Sequence, residues 1–235
     1  MGMNKLLAMK RVLAVMIVLF YTRTLWAQAP PEADNPTFKP AQTLTVSDIL
    51  IPSSCAVNGT VVIDALIVEE GKPKALEVRR DIDCLTQIAM DAVKDWTFSP
   101  ATVKDKPVAS RIAVAVTFCP IGSTADSLAT GTLKSQSDEA IQAEFQPPEP
   151  LHGKFPVYPM DATTFGTVVL EVNVNAKGEA GTVKVLRDLP PFTSHSQDAA
   201  GDWNFMAATD NGDPISTKVV MAFVFPPLPP SNNTF

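Results

Sequence analysis

Histidine is almost missing from this chain of 235 residues, which has only His152 and His195. No zinc-protease His-Glu pattern, nucleophile-elbow serine, phosphate loop or dinucleotide fingerprint occurs either. Those absences remove the common hydrolase, kinase and dehydrogenase chemistries. His152 lies in a Pro/Gly-flanked stretch and His195 in a weak helical pattern, so both read as ordinary exposed or half-buried side chains. The acidic run Asp210–Asp213 lacks the spacing of a calcium loop and reads as a turn. The expectation is a non-enzyme with no catalytic residues, no cofactor and no metal site.

Cysteine is also scarce. Cys55, Cys84 and Cys119 fit no zinc or redox spacing, and an odd count leaves one thiol unpaired or bonded to another chain. Basic residues are outnumbered, with 19 Lys and Arg against 25 Asp and Glu, for a net charge of −6. A nucleic-acid partner is therefore not expected. The apolar run Val12–Tyr21 is about half the length of a membrane span. Lys5, Lys10 and Arg11 precede it and Ala27-Gln28-Ala29 follows, which is the layout of a secretory signal peptide cleaved after Ala27. The alternative is an uncleaved inner-membrane anchor, the one case in which the membrane is a partner. A periplasmic or secreted location follows from the first reading and suits the three cysteines.

Tryptophan is rare too, yet two of three occur in one phrase, Asp95-Trp96-x-Phe98 and Asp202-Trp203-x-Phe205. The two phrases stand 107 residues apart. At that offset, without a gap, Gly59-Thr60-Val61-Val62 meets Gly166-Thr167-Val168-Val169, and Gly71 meets Gly178. Arg80-Asp81 meets Arg187-Asp188, Pro107 meets Pro214, and Phe118 meets Phe225. One structural unit is used twice.

Each copy clarifies the other. Leu170, Val172 and Val174 alternate with Glu171, Asn173 and Asn175, a half-buried strand whose first-copy equivalents put Ile63, Ala65 and Ile67 inside and Asp64 in water. A glycine turn and a second strand through Val78 or Val185 complete a hairpin. Leu85, Ile88, Ala89, Ala92, Val93 and Trp96 recur at helical spacing, with Asp83 as the expected N-cap. The second copy has Pro190-Pro191 and Gly201 there, which predicts a shorter, looser helix. A third strand ends each copy.

The fold class is therefore α+β: two tandem β-β-α-β domains, each a three-stranded antiparallel sheet covered by one helix. Handedness of the crossover gives the strand order 2-1-3. Trp96, Phe98, Trp203 and Phe205 are core anchors where helix meets sheet. The expected organisation is signal peptide 1–27, N-terminal segment 28–50, domain one 51–120, linker 121–150 with a short helix within 137–145, domain two 151–227, and a Pro-rich tail 228–235. The hairpin brings Cys55 near Cys84, which makes these two the expected disulfide. Cys119, ending strand three near Cys55, is the competing partner.

The ordered set Gly59, Gly71, Leu85, Ala92-Val93-x-x-Trp96-x-Phe98-x-Pro100-Ala101, Pro107-Val108 and Phe118 resembles the TonB C-terminal domain family. Tyr158-Pro159, Gly166, Gly178, Trp203, Phe205 and Pro214 repeat it, with Ala207 in place of the proline. The resemblance implies a periplasmic protein that holds a peptide by adding it as a strand to a sheet edge. Its partner would be a cell-envelope protein, for example an outer-membrane receptor. In the 2-1-3 order strands two and three are edges, and the last strand is the expected binding edge, so the expected contact residues are Arg111, Ala113, Ala115 and Thr117 in the first copy. Lys218, Val220, Ala222 and Val224 are those of the second. Two alternatives stand beside this: an anchored energy transducer for TonB-dependent transport, and a structural or assembly protein whose edges pair with each other or in a homodimer.

Overall fold

The computed structural model describes residues 38–52, 55, 57–135 and 145–229. The expected signal peptide 1–27, most of the expected short helix within 137–145, and tail residues 230–235 lie outside the described residues.

In chain order the first copy contains β1 (Phe38–Lys39), β2 (Gln42–Thr45), β3 (Gly59–Ile67), β4 (Pro73–Asp81) and helix α1 (Leu85–Lys94). It continues with β5 (Thr97–Ser99), β6 (Ala101–Val103), β7 (Lys106–Val108) and β8 (Ser110–Phe118). A short β9 (Thr132–Leu133) follows. The second copy contains β10 (Phe145–Gln146), β11 (Glu149–His152), β12 (Gly166–Val174), β13 (Ala180–Arg187) and helix α2 (Phe192–Gly201). It ends with β14 (Asn204–Met206), β15 (Ala208–Asp210), β16 (Asp213–Ile215) and β17 (Thr217–Phe225). Both copies lie within one compact unit.

Within each copy the long strands take the order 2-1-3, but they do not form two separate sheets. One seven-stranded sheet runs β13-β12-β17-β8-β3-β4-β9. The join is a parallel pairing of β8 with β17, from Ala113 opposite Val219 to Phe118 opposite Val224.

The register of this seam has a physical cause. By sequence offset Ala113 corresponds to Val220, yet it pairs with Val219. Side chains alternate along a strand, and paired residues share a face. Two copies joined with their helices on opposite faces must therefore slip by one residue. Val114 and Val116 share one core with Val220, Ala222 and Val224, beneath α1 residues Leu85, Ala89 and Val93. Ala113 and Ala115 share the other with Val219, Met221 and Phe223, beneath α2 residues Phe192 and Ala200. Each copy thus supplies part of the other's core.

The 107-residue repeat reaches further toward the N-terminus than the boundaries at 51 and 151 assume. β1 pairs β6 through Phe38 and Val103, and β10 pairs β15 through Phe145 and Asp210. β2 pairs β5, and β11 pairs β14, again at matching positions. The Phe38 and Phe145 rings meet with centroids 6.0 Å apart. Segments 38–52 and 145–159 are straps: Ile49 of the first joins the α1-side core with Val169, Val220 and Ala222 of the second copy, and Tyr158 of the second joins the α2-side core with Val62, Ala113 and Ala115 of the first copy. Ile49 donates its N–H to Thr167 Oγ1 and accepts from that hydroxyl, locking the first strap onto β12.

Three local expectations change. Asp83 does not cap α1; Cys84 occupies the N-cap in a left-handed conformation, and Asp83 Oδ1 accepts the Cys84 N–H. α2 is not shorter than α1, since both span 10 residues. Pro190-Pro191 precede its first hydrogen-bonded turn and Gly201 is its last residue, both places where these residues are tolerated. Asp64 and Glu171 are not in water but 2% and 3% exposed, because the straps and the neighbouring copy cover the faces left open in a lone repeat.

Candidate functional site

The repeated Trp phrase joins three elements in each copy. Trp96 and Trp203 are each 1% exposed. Trp96 Nε1 donates to Ser47 Oγ and Trp203 Nε1 to the Lys154 carbonyl, both at 3.2 Å, so each indole pins its own strap. Two residues on, Phe98 N–H donates to the Gly71 carbonyl and Phe205 N–H to that of Gly178. A Cβ at Gly71 would stand 2.0 Å from the Phe98 carbonyl oxygen, and Gly71 has φ +75°. Only glycine lets the hairpin turn come that close.

Charged residues gather at matching positions near the seam. Arg111 donates to Asp64 at 2.8 Å and lies 3.4 Å from Glu77, a cross-strand neighbour of Asp64. Lys218 donates to Glu171 at 2.7 Å. The third position of the second triad, opposite Glu171, is Lys184 and not an acid. Asp64 and Glu171 each keep one buried oxygen without a hydrogen-bond partner among the described residues. Burial raises the Asp64 pKa, and the Arg111 charge works against that rise.

The eight residues expected to present a peptide-binding edge are all placed, but not at an edge. Ala113, Ala115, Thr117, Val220, Ala222 and Val224 lie in the middle of the sheet and are buried. Arg111 and Lys218 are engaged by Asp64 and Glu171. The expectation fails because it treated each copy alone. The small side chains of β8 receive β17 of the same chain, so those edge groups are already paired.

What remains open is elsewhere. At one end of the sheet, β9 pairs Arg80 and Asp81, Lys134 N–H donates to the Arg79 carbonyl, and Pro73 opens β4 without a donor. At the other end, no strand among the described residues pairs the outer side of β13. Lys184 there is exposed, and Val183 and Val185 are partly buried against the second core. Periodicity alone did not single these residues out. The reversed charge at matched positions Glu77 and Lys184 was the available signal.

Cys55 and Cys84 form the disulfide, and Cys119 is free and buried. Burial pushes the Cys119 thiol pKa up, which suits an inert core side chain. The disulfide ties the approach to β3 to the start of α1. Reduction is expected to destabilise the protein by about 2–4 kcal/mol, checked by urea titration with and without reductant. An unchanged midpoint would refute that role. His152 is exposed and 3.8 Å from Asp126. No metal-ligand cluster of three or more residues occurs among the described residues.

A family model described as Gram-negative bacterial TonB protein C-terminal matches residues 55–120 and, again, residues 152–227. The chain belongs to the TonB C-terminal family. Two TonB C-terminal repeats are thus fused and joined strand to strand. Family membership makes this a TonB-like protein of the cell envelope, and the family is one of non-enzymatic protein-interaction domains. No helix among the described residues is long and apolar enough to cross a membrane. No curated protein matches the chain.

Proposed function

We propose that this protein is a non-enzymatic periplasmic binding module that holds extended segments of envelope or outer-membrane receptor proteins by strand addition at β13. The carrying observation is the seam: pairing β8 with β17 consumes both third-strand edges and leaves β13 the long uncapped edge among the described residues. An edge strand offers unpaired N–H and C=O groups, which form a template for an extended chain. The seam equally favours a structural reading, in which self-pairing of the edges makes a rigid assembly unit. Photo-crosslinking in cells separates the two. A crosslinker at Thr182 is expected to form adducts with an envelope protein, whereas one at Ala115 or Ala222 is expected to link only the protein's own strands. Absence of any intermolecular adduct from β13 would refute the binding reading and leave the structural one.

A further inference from the structure

The two charged triads are the same three positions in each repeat, with opposite local balance. In the first, Arg111 is set against Asp64 and Glu77, an excess of one negative charge. In the second, Lys184 and Lys218 flank Glu171, an excess of one positive charge. Lys218 lies on the central strand β17 and is occupied by Glu171 at 2.7 Å. Lys184 lies on the open edge, exposed. Strand β13 itself carries Lys184 and Arg187 and no acid, and Arg187 is held by Asp48 at 3.0 Å.

We infer that the β13 edge selects an extended segment with a single Asp or Glu facing Lys184 and apolar residues on either side of it. This rests on the strand-addition reading above and names its ligand chemistry. Alternation dictates the pattern. A residue of the added strand opposite Lys184 lies on the face of Glu171 and Lys218. Its two neighbours fall on the opposite face, beside Val183 and Val185, which border the second core. An added strand therefore meets one cation between two apolar positions. A second copy of this chain fits poorly. Antiparallel pairing centred on β13 sets the two Lys184 ammonium groups opposite or diagonal to one another, and like charges so placed are destabilising. The chain's net negative charge does not prevent approach of an acidic segment, since charges beyond about 8–10 Å are screened at physiological salt.

The test measures affinity of the intact two-repeat protein for a short Val/Thr peptide with one central Asp, and for its Asn and Lys versions. The Asp peptide is expected to bind about two- to fivefold tighter than the Asn peptide, with the Lys peptide weakest. Lys184→Glu is expected to reverse the order. Thr182→Pro and Val183→Pro are measured beside it, because adjacent N–H groups on a strand point to opposite sides and one of the two points outward. The outward one is expected to abolish binding of all three peptides with little change in the thermal transition. Equal binding of the Asp and Lys peptides, lost on proline substitution, would overturn the acidic selectivity while keeping the edge. Binding that survives both prolines would overturn the edge itself.

Discussion

Trp96→Ala and Trp203→Ala are each expected to lower stability by about 3–5 kcal/mol, the cost of emptying a fully buried aromatic site. Both indoles are 1% exposed, and each holds a strap through its Nε1 donor. The loss combines a cavity, an unpaired strap group and a weakened helix-to-sheet contact. The seam makes a further demand. Val220, Ala222 and Val224 of the second repeat sit in the first repeat's core, and Ala113 and Ala115 of the first sit in the second's. Either substitution is therefore expected to shift one cooperative transition for the whole protein, and not to melt one repeat ahead of the other. Urea unfolding followed by the remaining tryptophans and by far-UV circular dichroism checks both points. A loss below about 1 kcal/mol would contradict the anchoring role. Two well-separated transitions would contradict the shared core.

Arg111→Ala is expected to cost about 3–5 kcal/mol, the usual penalty for stranding a buried charge. Arg111 is 12% exposed at its side chain and Asp64 2%, so neither group can turn to bulk water. Without the guanidinium, Asp64 loses its hydrogen-bonded cation and keeps only the weaker Arg79 charge against the like charge of Glu77 across β3 and β4. Asp64→Asn added to Arg111→Ala is expected to recover part of the loss, because it removes the uncompensated charge. The pH dependence supplies a second readout. Burial raises the Asp64 pKa above the ordinary carboxylate value even with Arg111 present. The folded state thus favours the protonated form. Its contribution is greatest below the unfolded-state pKa and is lost as pH rises through the raised value. In Arg111→Ala the rise is expected to be larger, so the variant's deficit should shrink as pH falls through the carboxylate range. A deficit that stays constant with pH, or one below about 1 kcal/mol, would show that Arg111 is dispensable.

Much of this molecule is written locally. The 107-residue repeat, the Trp and Phe anchors, the glycine turn, the 2-1-3 strand order and the Cys55–Cys84 pair all depend on contacts within one copy. Alternation, helical spacing and turn chemistry report such contacts directly. The straps were legible in principle, since Phe38-x-Pro40 and Phe145-x-Pro147 keep the same offset, but short strands of two to four residues carry little periodicity. The candidate site was not legible in that way. Whether β8 is an edge depends on what lies beside it, and its neighbour β17 stands about a hundred residues away. Ala113 and Ala115 read equally well as a surface for a foreign strand and as the seat of the chain's own second copy. Only the tertiary pairing decided between them. It buried Asp64 and Glu171, engaged Arg111 and Lys218, and used up both third-strand edges, leaving the second-strand edge β13 open among the described residues, because a sheet that joins two repeats in parallel must use one long edge of each.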